Sequence, residues 1–206
     1  MKVITSFLLI VGLLLGSASG ILADTRTFTV SATVPPPTGV SITAFNVNSA
    51  TGAWTAVPGT ALSFDPMTFD ATNQIYMPNH YFAVNAGPIA GAGSTDVTIT
   101  YTEGANPNNF SGGSGHGLGW KSTAAFARVS GTTETPLASH GPIKLLKDLN
   151  GEHITPAELG TGTFRMYLGI ELNPLAAGQP AGAEVFSAAD RTGAYSGSLV
   201  VTATVS

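Results

Sequence analysis

The chain has 206 residues, no cysteine and a formal net charge of −4 at pH 7. Of its residues, 43% are hydrophobic and 10% are charged. The lack of cysteine excludes disulfides and a lipid anchor of the bacterial lipoprotein type. The negative charge disfavours a nucleic-acid partner, because phosphate binding requires a basic surface.

Residues 1–23 predict a secretory signal peptide. Lys2 provides the positive start, Phe7–Leu15 the apolar segment, and Gly16–Ala23 the small-residue stretch before cleavage, with Ser19 as an earlier possible cleavage position. This apolar segment is short for a membrane span and no second one follows, so we expect no membrane span in the mature chain. The remaining length, about 180 residues, suits one exported β domain.

Residues Thr25–Val34 predict a strand with one apolar face and one hydroxyl face, because the two residue types alternate. The apolar positions are Phe28, Val30, Ala32 and Val34. Pro35–Pro37 follows directly and favours a stiff, extended spacer. Such a spacer would hold the strand away from its own domain, where a neighbouring subunit could take it. An ordinary first strand followed by a loop is the alternative, and the sequence leaves both open.

Seven further strand-like runs are separated by clusters of Gly, Pro and Asn. These runs are Val40–Val47, Ala61–Phe64, Ile75–Val84, Asp96–Thr102, Thr123–Val129, Ile143–Leu149 and Phe164–Leu172. Many short strands without sustained helical periodicity indicate an all-β sandwich. The one helix signal is Thr155–Glu158, a capping box with proline at the first helical position, which predicts a single turn.

The run Tyr195–Val205 predicts a last strand that also alternates. Its apolar face holds Tyr195, Leu199, Val201, Ala203 and Val205, and Val200 is the one apolar residue on the hydroxyl face. Alternating strands at both ends of the mature chain indicate a protein that polymerises.

Other candidate sites have simpler interpretations. Asp148–Glu158 is similar to a calcium-binding loop of the helix-loop-helix type, with oxygens on Asp148, Asn150, Glu152 and Glu158, but it is one residue short and lacks the glycine at the sixth position. We therefore expect a polar turn that binds no metal. Asp65 and Asp70 flank a predicted turn at Pro66–Thr68 and are expected to cap it rather than to form a catalytic pair.

The remaining chemical groups are scattered. The four histidines, His80, His116, His140 and His153, have no metal-binding spacing and are expected on the surface or in loops. A sugar-binding platform needs several exposed aromatic residues, and the candidates for it are Trp54, Trp120, Tyr76, Tyr81 and Tyr101; packing in the core or sheets is the simpler expectation. We expect no catalytic site, no metal and no cofactor, and hence no enzyme.

Thr27–Pro35 resembles the opening of subunits from chaperone-usher pili, particularly the cysteine-free alpha class of colonisation-factor and cable-pilus type. Gly193–Gly197 and the strand after it resemble the way those subunits end. The resemblance implies an immunoglobulin-like β-sandwich that lacks its last strand. A periplasmic chaperone would complete the sandwich first, and the front strand of the next subunit would replace it at an outer-membrane usher.

The resemblance also assigns roles to residues. The donor side chains would be Phe28, Val30, Ala32 and Val34, and the acceptor groove would be lined by Tyr195, Leu199, Val201, Ala203 and Val205. The predicted organisation is a signal peptide (1–23), a donor strand with its Pro-rich spacer (24–37) and an Ig-like pilin domain (38–206).

The predicted function is that of a structural subunit of an extracellular pilus that polymerises with copies of itself and supports cell adhesion. Two alternatives stay open. One is a secreted carbohydrate-binding or adhesin module whose front strand pairs inside its own sandwich. The other is a biofilm-matrix filament that exchanges strands without an usher.

Overall fold

The computed structural model describes residues 28–33, 39–89, 93–109 and 115–205. The strands in these ranges are β1 Phe28–Thr33, β2 Val40–Asn48, β3 Trp54–Ala56, β4 Ala61–Ser63, β5 Met67–Asp70, β6 Ile75–Pro78, β7 His80–Pro88, β8 Thr95–Glu103, β9 Ser122–Ser130, β10 Thr133–Pro136, β11 Lys144–Leu145, β12 Glu152–Ile154, β13 Thr163–Ile170 and β14 Tyr195–Val205. The helical elements of the same ranges are α1 Leu118–Lys121, α2 Pro156–Leu159 and two 3₁₀ turns at Ala138–His140 and Leu146–Asp148. The predicted signal peptide and Pro35–Pro37 lie outside the described residues. Within those residues, no helix has the length and apolar character needed to cross a membrane.

Two sheets make up most of the fold. The smaller sheet has the strand order β12-β8-β14-β1-β4, and the larger has the order β10-β9-β13-β7-β2-β3, with β11 also pairing with β9. Strands β5 and β6 form a separate hairpin. The prediction of an all-β sandwich is confirmed.

Alternating strands from both sheets supply the core. In β13, Phe164, Met166 and Leu168 are fully buried while the residues between them are only partly buried. In β14, Leu199 and Val201 are fully buried and belong to the same apolar cluster. One buried face per strand is what a period of two residues predicts, and it explains why these strands were found from the sequence.

The predicted helical turn at Thr155 is confirmed as α2. The Thr155 N–H donates to the Glu158 carboxylate at 2.9 Å, and the full capping box is formed with Pro156 in the first turn. Asp70 caps the turn between β5 and β6, because its carboxylate accepts the Thr72 N–H at 2.8 Å. The sequence placed the capped turn at Pro66–Thr68 instead, and this position is wrong, because Met67 and Thr68 belong to β5.

Two predicted strands are wrong in extent. The run 75–84 is two strands, because β6 pairs with β5 while β7 pairs with β2 and β13, and the chain changes partner at Asn79. In the predicted strand 143–149, only β11 (Lys144–Leu145) is a strand. Leu145, Leu146 and Leu149 are all fully buried, and a period of two cannot place 145 and 146 on one face. The chain therefore turns into a 3₁₀ helix after Leu145.

Four short strands were missed by the sequence prediction, namely β3, β5, β10 and β12. Each has three or four residues, and β3 and β10 are exposed throughout. Each forms one antiparallel ladder with a single partner, which is a longer strand for β3, β10 and β12 and the equally short β6 for β5. A short exposed strand carries no hydrophobic period that a sequence could reveal.

Candidate functional site at strand β1

Strand β1 lies inside the smaller sheet, with β14 on one edge and β4 on the other. It runs parallel to β14, from Phe28 opposite Tyr195 to Thr33 opposite Val200, and antiparallel to β4. All other strand pairings in the described ranges are antiparallel. Because β4 is the end strand of the sheet, β1 is its only ladder partner in the described part of the chain. Strand β1 therefore joins β4 to the rest of the sheet.

Val30 is the residue of β1 whose side-chain burial the structure describes. Its side chain is fully buried, and it lies opposite Leu62 of β4, which is also fully buried. On the other edge Val30 lies opposite Gly197 of β14. A Cβ atom at Gly197 would collide with the ring of Tyr101, so the glycine leaves room for that ring beside β1. Val30 is thus buried between β4 and β14, opposite the glycine on which the Tyr101 ring packs.

The predicted acceptor residues share the core face of β14. Tyr195, Leu199, Val201 and Ala203 are buried, and Val205 is partly buried and packs against the core. The register of β1 covers only the first part of this face, up to Val200.

The predicted donor residues lie beside that first part. Phe28 and Ala32 lie opposite Tyr195 and Leu199 in the backbone register, and Val34 lies outside the described residues. The structure therefore brings β1 and β14 together within one chain. Donation of β1 to another subunit stays a prediction.

A buried histidine supports β4 from the larger sheet. The His80 Nε2–H donates to the carbonyl oxygen of Ser63 at 2.9 Å, and the ring of His80 lies 5.0 Å from that of Phe82 and 6.1 Å from that of Phe64. His80 is 4% exposed, so the expectation that all four histidines are on the surface or in loops is wrong for this residue. A carbonyl can only accept, and this bond satisfies one ring nitrogen that burial would otherwise leave without a partner.

The carboxylate of Glu103, the last residue of β8, links the β8–β14 pair to α1. Glu103 lies opposite Gly197 and accepts hydrogen bonds from the N–H groups of Leu118 and Gly119, each at 2.8 Å. Partial burial raises the pKa of Glu103, although these two bonds lower it. Burial, and then the neighbouring Glu103 carboxylate, raises the pKa of Tyr101. Glu103 thus holds α1 against the end of the sandwich that contains the Tyr101 ring.

An open cavity of about 550 Å³ lies beside β4, between it and the β2–β3 hairpin. Its described lining is uncharged and divided equally between polar and apolar residues: Asn46, Asn48, Thr51, Ala53, Thr55, Ala56, Val57, Pro58, Ala61, Ser63, Asn79 and Phe82. No charged side chain belongs to this lining, so a charged ligand would find no counter-ion here.

The oxygens of the calcium-like segment are used by protein donors. Asp148 pairs with Lys147 at 2.7 Å, and Asn150 accepts the N–H of Tyr101 at 2.8 Å. Glu152 accepts from Lys144 and from His140. Among the described residues, no group of three or more His, Asp or Glu side chains is placed to hold a metal ion. The expectation that this segment binds no metal stays a prediction.

The five candidate aromatic residues are not brought together as one platform. Tyr101 is 3% exposed, Tyr76 packs on Phe69 in the β5–β6 hairpin, and Trp120 of α1 stacks on His116.

Two of the five belong to one row of contacts on the larger sheet. The guanidinium of Arg165 lies 4.8 Å from the ring centre of Trp54 and 6.0 Å from the ring centre of Tyr167. The ring centres of Tyr167 and Tyr81 are 5.9 Å apart. Arg165 and Tyr167 were missed by the sequence prediction, because nothing in one sequence shows which strands pair. We call Trp54, Arg165, Tyr167 and Tyr81 the aromatic row.

No protein-family model matches this chain, and comparisons with curated proteins and with solved structures find no significant match.

The capping box gives a testable pH dependence. The Thr155 backbone N–H, then Ser139, lowers the pKa of Glu158 from about 4.5 to about 2. A lowered folded-state pKa stabilises the fold above the unfolded-state pKa, and this stabilisation disappears as the pH falls through the folded-state pKa. We expect Glu158→Gln to unfold more easily than wild type at pH 7, by up to about 1 kcal/mol, and the difference to vanish near pH 2.

Urea denaturation at pH 7, 4 and 2.5 measures this difference. Asp148→Asn is the matched control, because that carboxylate is half exposed and pairs with the adjacent Lys147; its difference from wild type should be small at every pH. A Glu158→Gln difference that does not change between pH 7 and pH 2.5 would contradict the assignment.

Proposed function

We propose that this protein is a structural subunit of an extracellular filament, in which each copy places its β1 between β14 and β4 of the next copy. The supporting observation is the position of β1, the first described strand, which fills a gap between two strands that do not otherwise pair with each other. A strand with this position can be supplied by the same chain or by another one.

The gap that β1 fills would be unstable if left open. Without β1, one edge of β14 would lose its ladder from Tyr195 to Val200, and β4 would lose its pairing at Leu62. Exposed strand edges and apolar surface promote association, and an added strand covers both. Burial of Val30 alone contributes about 1.5–3 kcal/mol, and each backbone hydrogen bond adds about 0.5–1.5 kcal/mol.

The way β1 is attached also favours exchange. Its pairing with β14 is parallel, and parallel ladders are slightly less stable per residue than antiparallel ones. Six residues, including Pro35–Pro37, connect β1 to β2, which belongs to the other sheet. When β1 stays in its own chain, this short connection fixes the direction in which β1 runs between β14 and β4. A β1 strand from a neighbouring copy does not have this constraint.

Exchange of β1 produces a filament because the donating and receiving surfaces differ. A contact between two different surfaces of identical subunits is head-to-tail, and it continues indefinitely unless the rotation closes a ring. Export through the predicted signal peptide would bring the subunit through the periplasm to the cell surface. A periplasmic chaperone that protects the open gap and an outer-membrane usher that replaces it with β1 are the partners this assembly requires.

We expect Val30→Asp to abolish polymerisation, since the buried pocket between β4 and β14 would have to desolvate a carboxylate. The measurement is a gel of the exported full chain, unheated and boiled in detergent, with negative-stain microscopy of the same sample. Wild type should give a ladder that collapses to monomer on boiling, and Val30→Asp should give no ladder.

Ser31→Asp is the matched control, because it adds the same charge at a position of opposite parity in the alternating sequence. It should keep the ladder and the filaments. Normal filaments from Val30→Asp would exclude β1 as the exchanged strand.

Glycan binding is a second candidate function, and the aromatic row supports it. Trp54 is 41% exposed, and the row combines aromatic rings with a guanidinium that donates to Asn85 and Glu134 at 2.8 Å each. Rings that stack on sugars beside fixed polar groups are typical of carbohydrate sites. If this function holds, the monomer binds on a glycan array and Trp54→Ala loses that binding, whereas Phe69→Ala, which changes a similarly exposed ring on the β5–β6 hairpin, keeps it.

A further inference from the structure

Lys121 is a buried lysine whose amine lies in a cluster of polar groups. It is the last residue of α1 and is 4% exposed. Its Nζ lies 2.8 Å from the carbonyl oxygen of Val185, 3.1 Å from Asp190 Oδ1 and 3.2 Å from Glu184 Oε2. The ring of Phe186 lies 5.4 Å from the same nitrogen. A primary amine is therefore held against a carboxyl group in surroundings from which water is largely excluded.

Asp190 is held by donors on both of its carboxyl oxygens. Asn108 Nδ2 donates to Oδ1 at 2.6 Å, and the N–H of Ser187 donates to Oδ2 at 2.7 Å. The Asp190 side chain is 8% exposed. Donors placed around a carbonyl carbon withdraw electron density from it and stabilise the negative charge that appears when a nucleophile adds. The carboxyl of Asp190 is thus positioned as an electrophile.

Glu184 connects this cluster to solvent. Its Oε2 contacts Lys121, and its Oε1 lies 2.5 Å from Nδ1 of His116, whose ring stacks on Trp120 at 3.8 Å. The Glu184 side chain is 39% exposed, and its backbone N–H donates to the carbonyl oxygen of Trp120 at 3.0 Å. A carboxylate fixed beside the amine and partly open to water can carry protons for a reaction there.

We propose that Lys121 and Asp190 form an intramolecular isopeptide bond, with Glu184 as the proton carrier. The amine nitrogen attacks Cγ of Asp190, the new C–N bond forms, and one C–O bond breaks. Glu184 takes protons from the nitrogen in turn and delivers them to the departing oxygen. An ammonium and a carboxylate thereby become one amide and one water, Glu184 is regenerated, and no other reagent is needed.

Burial favours the bond over a permanent ion pair. A buried ion pair carries the cost of removing two charges from water, and amide formation removes both charges from the site. The two groups are already held in contact, which replaces a bimolecular encounter by a reaction at very high effective concentration. The product keeps its polar partners, because the Val185 carbonyl and Asn108 remain beside the new amide. This inference does not depend on the proposed function.

The bond would link two parts of the fold that lie 69 positions apart in the sequence. Lys121 directly precedes β9 of the larger sheet, and Asp190 lies in the segment that leads into β14 of the smaller sheet. A covalent link across a long loop reduces the conformational entropy of the unfolded chain. In an exported protein without cysteine, this link would take the place of a disulfide.

The direct test is mass spectrometry of the full exported protein after denaturation and trypsin digestion. Trypsin does not cleave after an acylated lysine, so we expect residues 27–128 joined to residues 166–191, with a mass about 18 Da below the sum of the two peptides because one water is lost. Lys121→Arg and Glu184→Gln should both give separate peptides at full mass. Lys147→Arg, which changes a lysine beside Trp120 rather than beside Asp190, should keep the joined product.

Thermal unfolding provides the second readout. Lys121→Arg keeps the positive charge but cannot form this bond, and its melting temperature should fall by about 10 °C relative to wild type, as expected for loss of a long-loop cross-link. Wild-type protein that is cleaved normally after Lys121, and whose two peptides have full mass, overturns the proposal whatever the melting temperatures are.

Discussion

The pairing of β1 on both edges is the constraint on which the smaller sheet depends. A backbone in the middle of a sheet must find hydrogen-bond partners on each side, and β14 and β4 obtain theirs in this region from β1. The same strand places the buried Val30 between Leu62 of β4 and Gly197 of β14. Filling this gap is necessary for the fold, but the identity of the chain that fills it is not fixed by the geometry. This freedom is the physical basis of the proposed exchange of β1 between subunits.

Charged residues are few in this protein, and most of the described ones are used to fix loops and ends. Glu103 holds α1, Glu158 caps α2, and Lys121 joins the segment before β14 to the start of β9. A chain with 10% charged residues and no cysteine must secure its long connections by such local clusters. The proposed bond between Lys121 and Asp190 would make one of these clusters permanent. Subunits of a filament that bears load outside the cell would benefit from it.

The sequence predicted those features that have a local signal. Tyr195–Val205 was found with its full length because it alternates over eleven residues. The turn at Thr155 was found because a capping box is a pattern of adjacent residues. His80 was misplaced because its burial depends on Ser63 and Phe64, which are distant in the sequence and are brought close only by the fold. The Lys121 cluster was missed for the same reason, since Asn108, Glu184 and Asp190 are distant in the sequence and carry no spacing of their own.

Cysteine cross-linking between two copies of the protein tests the central claim most directly, because the natural chain has no cysteine. One tagged copy carries Thr29→Cys, and a second copy with a different tag carries Ser63→Cys, since these residues lie opposite each other across β1 and β4. Ala61→Cys replaces Ser63→Cys in a parallel sample, to detect a strand that enters in the reverse direction. Exchange of β1 predicts a disulfide that joins the two tags in assembled filaments. A third sample carries Thr29→Cys and Ser63→Cys in the same chain. If the disulfide forms in this sample but not between the two tagged copies, β1 stays in its own sandwich and the account is contradicted.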